Sequence, residues 1–136
     1  MANKPLNPQE LMVEYEYLRQ EINAIDNQIK QLQEHHEALV TAREALNSVE
    51  GEKDSELLVP GGAGVYFNAT LTNDKSCLVN VGANVIIEMN LDKGKKTINE
   101  RIEQALSMIV ELNEEADKRV NQLRQIEAAV QGQQLM

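Results

Sequence analysis

The chain has 136 residues, room for one domain, but at 42% hydrophobic and only 3% aromatic content a compact core would be thin, so an elongated form is expected. Its 13 Lys and Arg against 22 Asp and Glu leave a net charge of −9, which argues against holding a phosphate backbone and so against nucleic acid, and favours basic or unfolded partners. The acidic excess sits in the first long segment, where Glu10, Glu14, Glu16, Glu21, Asp26, Glu34, Glu37, Glu44 and Glu50 are set against Arg19, Lys30 and Arg43. With Cys77 as the single cysteine no intrachain disulfide can form, and the absence of a leader pattern or a long apolar run makes the cytoplasm the expected address and a membrane an unexpected partner.

The first helix is expected over residues 8–50. Asn7 suits the cap, Pro8 the first helical position where its missing N–H is not needed, and Glu10 the reach back to the Asn7 amide, with Leu6 and Leu11 placed as a hydrophobic staple. From there Leu11, Tyr15, Leu18, Ile22, Ile25, Ile29, Leu32, His36, Leu39, Arg43 and Leu46 alternate steps of four and three. Steps averaging 3.5 residues keep one narrow stripe facing a partner helix, which is a coiled-coil seam.

Gly51 to Asp54 reads as a loop, and a β segment over residues 55–89 follows. It contains a repeat: Leu58-Val59-Pro60-Gly61-Gly62-Ala63-Gly64-Val65 returns as Leu78-Val79-Asn80-Val81-Gly82-Ala83-Asn84-Val85. In each copy a Gly-containing break separates two β-rich runs, the pattern of a turn between strands. Strands are expected over Glu56 to Val59, Val65 to Thr72, Cys77 to Val81 and Val85 to Met89. Two hairpins of this size bury too little apolar surface to offset their own ordering entropy, so their faces and edges require a partner.

Asn90 is the expected cap of a second helix over residues 90–132, whose seam runs Ile98, Ile102, Ala105, Ile109, Leu112, Ala116, Arg119, Leu123, Ile126 and Val130. Each helix would be roughly 60 Å long at about 1.5 Å per residue. A compact β link sends the second back along the first, with both chain ends at the far tip, while Arg43 and Arg119 on the seam would have to snorkel. The expected fold class is therefore α+β, predominantly α: a long antiparallel two-helix coiled coil with two β-hairpins between its helices, the whole of residues 1–136 forming one domain.

Catalytic and cofactor chemistry finds no support. His35 and His36 are adjacent and diverge by about 100° on a helix, so they cannot chelate one metal ion together. Gly94-Lys95-Lys96-Thr97 resembles the end of a phosphate loop but lacks the preceding Gly-rich strand-to-loop span, and Gly61 to Gly64 is not followed by a helix N-terminus. No nucleophile with a paired base appears, so an enzyme is not expected.

The residues Leu58-Val59-Pro60, Gly62-Ala63-Gly64, Val79-x-Val81-Gly82-Ala83 and Glu88, flanked by the two heptad helices, resemble a prefoldin subunit, and within that family the archaeal α-type, which carries two hairpins where β-type subunits carry one. The resemblance spans nearly the whole chain. It departs at Gly61, where a larger apolar residue is usual, at Asn84, where a second Gly is, and at Gly94, where Ala is. What it implies is an α2β4 hexamer with β-type prefoldin subunits, whose hairpins assemble into an oligomeric β-barrel platform. Non-native proteins would be captured at the coiled-coil tips without ATP, metal or other cofactor, kept from aggregating and delivered to a group II chaperonin.

Residues are assigned to these roles by their position off the seam. Met12, Val13 and Tyr17 lie beside the line of Leu11, Tyr15 and Leu18, and Val130, Leu135 and Met136 reach beyond the last well-paired heptad, so these six are the candidate client contacts. Leu58, Val59, Val65, Phe67, Leu71, Leu78, Val79, Val81, Val85 and Ile87 are the candidate platform residues, with the face that meets a neighbour left open. The competing reading is a structural coiled-coil protein that forms homo-oligomers or filaments through the same β platform.

Overall fold

The computed structural model describes residues 7–134, so Leu6, Leu135 and Met136 lie outside it. Helix α1 spans Pro8–Val49, strands β1 to β4 span Glu56–Gly62, Val65–Thr70, Ser76–Asn80 and Ile86–Asn90, and helix α2 spans Leu91–Gln134. The chain divides into two compact units, one made of residues up to His35 together with those from Ala105 onward, the other of His36–Gln104.

In the first unit the seam closes as the heptads require. Leu11, Leu18 and Ile126 form one buried cluster with Tyr15, Leu123 and Val130 packed against it. Ile25, Ile29 and Ala116 form a second, joined by Ile109 and Leu112. Rising numbers in α1 meet falling numbers in α2, so the helices run antiparallel there. The start of α1 is fixed by the reciprocal cap: Glu10 N–H donates to Asn7 Oδ1 at 2.8 Å, and Asn7 N–H to Glu10 Oε2 at 3.2 Å.

The second unit holds both hairpins, two separate antiparallel pairs, β1 with β2 and β3 with β4. Their turns are the repeat made visible. Ala63 and Gly64 have φ of 51° and 81°, and Ala83 and Asn84 have φ of 51° and 61°. Positive φ at both central residues is what a two-residue turn needs to match the twist of its strands, and Asn is among the few non-glycine residues that enter this region readily. The departure at Asn84 thus leaves the turn intact.

Strand β1 runs on to Gly62, past the end expected at Val59, because a bulge between Pro60 and Gly62 lets pairing resume at Gly62 and Val65. Gly61 is the bulge residue. The Phe67 ring lies over it so closely that a Cβ there would sit 2.7 Å from Phe67 Cε2, which accounts for the glycine. Asn90 ends β4 and caps α2 at once, its Oδ1 accepting the Lys93 N–H at 2.8 Å. Ion pairing of Lys95 with Glu50 at 2.9 Å and donation from Arg101 to the Asn80 carbonyl at 2.9 Å tie α2 to the end of α1 and to β3.

Candidate functional site

The two hairpins use their faces differently. Register places Leu57 and Val59 with Ala69 and Phe67 on one face of the first hairpin, and Leu58 and Pro60 with Asn68 and Tyr66 on the other. Both faces are open: every residue of β1 is exposed, and in β2 only Ala69 is half-covered. The second hairpin puts Cys77 and Val79, with Met89 and Ile87 across from them, on one face, and Leu78, Asn80, Glu88 and Ile86 on the other. Val79 is buried and Cys77 half-buried, whereas Leu78 on the opposite face is 72% exposed. Burial pushes the Cys77 thiol above its ordinary pKa. Its Sγ occupies the space a side chain at Gly94 would need, so the departure at Gly94 is the complement of Cys77.

Of the expected platform residues, Leu58, Val59, Val65, Phe67, Leu78, Val81, Val85 and Ile87 are exposed. Two are not. Val79 belongs to this unit's own core, and Leu71 lies beyond the end of β2, half-buried beside Ala42, Leu46 and Val49 in an apolar cleft and held by backbone bonds to Ser55 and Asp54. Leu57, Tyr66 and Ile86 are exposed apolar residues of the strands that sequence reasoning passed over. Strict alternation along each strand, carried across the register, would have found all three.

In the first unit, Met12, Val13 and Tyr17 are 52%, 72% and 60% exposed, beside a closed seam. They do not share one surface. Met12 lines a shallow apolar groove with Tyr15, Ile126, Glu127 and Val130, where the Tyr15 hydroxyl donates to Glu127 Oε1 at 3.3 Å. Val13 and Tyr17, one turn apart, line the opposite flank of α1 with Glu10 and Glu14. Val130 is half-buried against the Leu11, Leu18 and Ile126 cluster rather than free beyond the last paired heptad, because it continues the seam by one more step. Leu106, Met108 and Val110 on α2 are exposed as well and carry no sequence signal beyond their place off the seam.

Between the two buried clusters lies a polar layer. Seam residue Arg119 donates from Nε to Glu21 Oε2 at 2.7 Å, and its Nη1 lies 3.5 Å from Glu115 Oε2. Hydrogen bonding from Arg119 holds the Glu21 carboxyl below its usual pKa, and interaction with Glu21 raises that of the Tyr17 hydroxyl. Among the described residues no three His, Cys, Asp or Glu side chains converge as a metal site would need, and no helix is long and apolar enough to cross a membrane.

The prefoldin subunit family profile matches residues 18–134, most of both helices and all of the hairpin region. The chain belongs to the prefoldin subunit family. It is 30% identical over 128 residues to a prefoldin subunit alpha of Methanosarcina acetivorans, covering 94% of this chain and 88% of that one. A prefoldin subunit alpha of Thermofilum pendens is 29% identical over 121 residues, covering 88% and 94%. The fold is similar to that of a filamentous PFD from Methanocaldococcus jannaschii solved by cryo-electron microscopy, with a TM-score of 0.51 at 21% identity, over 89% of this chain and 95% of that one. Membership makes this prefoldin chain a component of chaperone-type assemblies, and its two hairpins between two long helices agree with the α-type relatives.

Proposed function

We propose that this prefoldin subunit works as an ATP-independent holding chaperone in the cytoplasm. In that reading it captures unfolded proteins at the coiled-coil tip, prevents their aggregation and passes them to a group II chaperonin. The observation that carries it is the exposure of Met12, Val13 and Tyr17 beside a seam already filled by Leu11, Tyr15 and Leu18. Large apolar side chains spread over two flanks of a helix end suit partners with scattered apolar surface, since each contact is weak and none demands a fixed shape. Val130 contributes its uncovered edge, and Leu135 and Met136, outside the described residues, stay with this assignment.

Assembly in this reading runs through the hairpins. Leu58, Tyr66, Phe67, Leu78 and Ile86 are each more than half exposed, and apolar strand faces of this kind need covering by neighbours. The proposed neighbours are β-type prefoldin subunits in an α2β4 hexamer with a β-barrel platform. A second reading, homo-oligomers or filaments of this chain alone, is favoured by the filamentous state of the similar Methanocaldococcus jannaschii protein. Native mass spectrometry of the complex formed in the host separates them. Two copies with four smaller helical subunits support the hexamer, whereas a polymer of this chain alone supports the filament. Met12→Ser, Val13→Ser and Tyr17→Ser together should weaken suppression of client aggregation at unchanged complex mass; intact suppression would remove the tip assignment.

A further inference from the structure

On the open face of the second hairpin, Glu88 is a lone carboxylate among apolar residues. It lies directly across from Leu78, with Ile86 next to it on the same face of β4, and these two are 72% and 62% exposed. The carboxylate is held from one side only. Asn73 Oδ1 accepts the Lys75 N–H at 2.8 Å, which fixes the amide so that its Nδ2 donates to Ser76 Oγ at 2.7 Å, and Ser76 in turn donates to Glu88 Oε1 at 2.9 Å. Among the described residues Glu88 Oε2 has no hydrogen-bond partner and Glu88 no ion pair.

A face of exposed apolar side chains needs covering, and covering it takes water away from Glu88. With one neutral hydroxyl as its donor, a carboxylate so covered carries a desolvation cost that a cation on the covering surface offsets. The strands of a second copy do not supply that cation. Strands β1 to β4 hold two carboxylates, Glu56 and Glu88, and neither Lys nor Arg. A two-fold contact between copies centred on this face would also set Glu88 near its own counterpart. We propose that Glu88 selects the neighbour on this face, and that the neighbour is a different chain whose covering surface sets a Lys or Arg against Glu88 Oε2 amid apolar side chains. Leu78 and Ile86 supply the adhesion and Glu88 the discrimination. The inference rests on the reading above that neighbours cover the hairpin faces, and it goes further in assigning this face to a chain other than a second copy.

The test replaces Glu88 and reads the composition and affinity of the assembled complex by native mass spectrometry. Glu88→Gln keeps the Ser76 bond and the shape without the charge, and should weaken co-assembly with the other subunit roughly tenfold. Glu88→Lys should weaken it at least about a hundredfold, because two cations then meet in a covered contact. The urea midpoint of the dissociated chain should be the same in both variants as in the wild type, since Glu88 is exposed there, which separates a lost contact from lost folding. A wild-type complex that contains this chain alone would overturn the inference. So would Glu88→Lys assembling with the other subunit as the wild type does, or a complex of this chain alone that tightens when wild-type and Glu88→Lys copies are mixed, which would place Glu88 against its own copy. Leu78→Asp distinguishes failure here from failure of the platform reading. If Leu78→Asp blocks assembly and Glu88→Lys does not, the face is covered but unselective; if neither blocks it, the face is not covered and both readings fall.

Discussion

The two hairpins repeat one sequence pattern and one turn backbone, yet the second buries a residue of one strand face in its own unit and the first buries none. Ala63 and Ala83 share a φ of 51°, and both turns have positive φ at their two central residues. The difference lies in what each strand offers the helices. In the second hairpin Cys77 and Val79 are inward, Gly94 leaves room for the thiol, and Arg101 caps the end of β3 through the Asn80 carbonyl. In the first, no residue of β1 is covered. A repeat that specifies a turn therefore does not specify burial; side chains on facing elements do.

The largest test of that contrast places the same charge in each hairpin. Val79→Asp puts an unpaired carboxylate into the unit's core and should lower stability by at least about 3 kcal/mol, read as a fall in the urea midpoint. Val59→Asp, at the position of the other copy that the repeat aligns with Val79, should change stability by less than about 0.5 kcal/mol while preventing assembly in size-exclusion chromatography. A large loss from Val59→Asp in the dissociated chain would mean that the first hairpin is packed within the subunit after all.

How much of this was legible in the sequence follows from which interactions are local. Every seam residue named from the heptads is buried or half-buried, since a 3.5-residue pattern dictates which stripe faces a partner helix. The caps at Asn7 and Asn90 were legible for the same reason, as each is made within three residues. Burial of Val79 and Leu71 was not, because it depends on α1 and α2 residues far away in the chain. Period-two alternation separates two faces of a strand without saying which one a helix will cover. Gly94 was visible as a departure from the family pattern, but only contact with Cys77 gives its reason. Likewise the heptads placed Arg119 on the seam, while its partner Glu21 and the gap between two clusters needed the structure.

A second test asks whether Gly94 is what lets the second hairpin dock. Alanine in place of glycine inside a helix ordinarily stabilises by about 1 kcal/mol. Here its Cβ collides with Cys77 Sγ, and overpacking of this kind costs about 1–3 kcal/mol, so Gly94→Ala should be destabilising on balance. In a Cys77→Ala background the same substitution should instead stabilise, because the collision is gone and the helix propensity remains. The reversal of sign is the readout of a double-mutant cycle. A gain from Gly94→Ala in the wild type would show that β3 moves freely against α2, and the contrast between the hairpins would lose its cause.

The smallest effect concerns what the hairpins share. An alanine in the left-handed region costs about 1–2 kcal/mol through the contact of its Cβ with the following carbonyl, while glycine there gives back about 0.5–1 kcal/mol through the freedom of the unfolded chain. Ala63→Gly and Ala83→Gly should therefore each stabilise by about 0.5 kcal/mol, and, being in separate turns, the two should add. Equal gains would establish that turn energy is set by the repeat alone, whatever the strands pack against. If Ala83→Gly gained less than Ala63→Gly, the packed hairpin would be holding its turn from outside, through Val79 and the Arg101 bond, and burial would have reached into the one feature the two copies have in common.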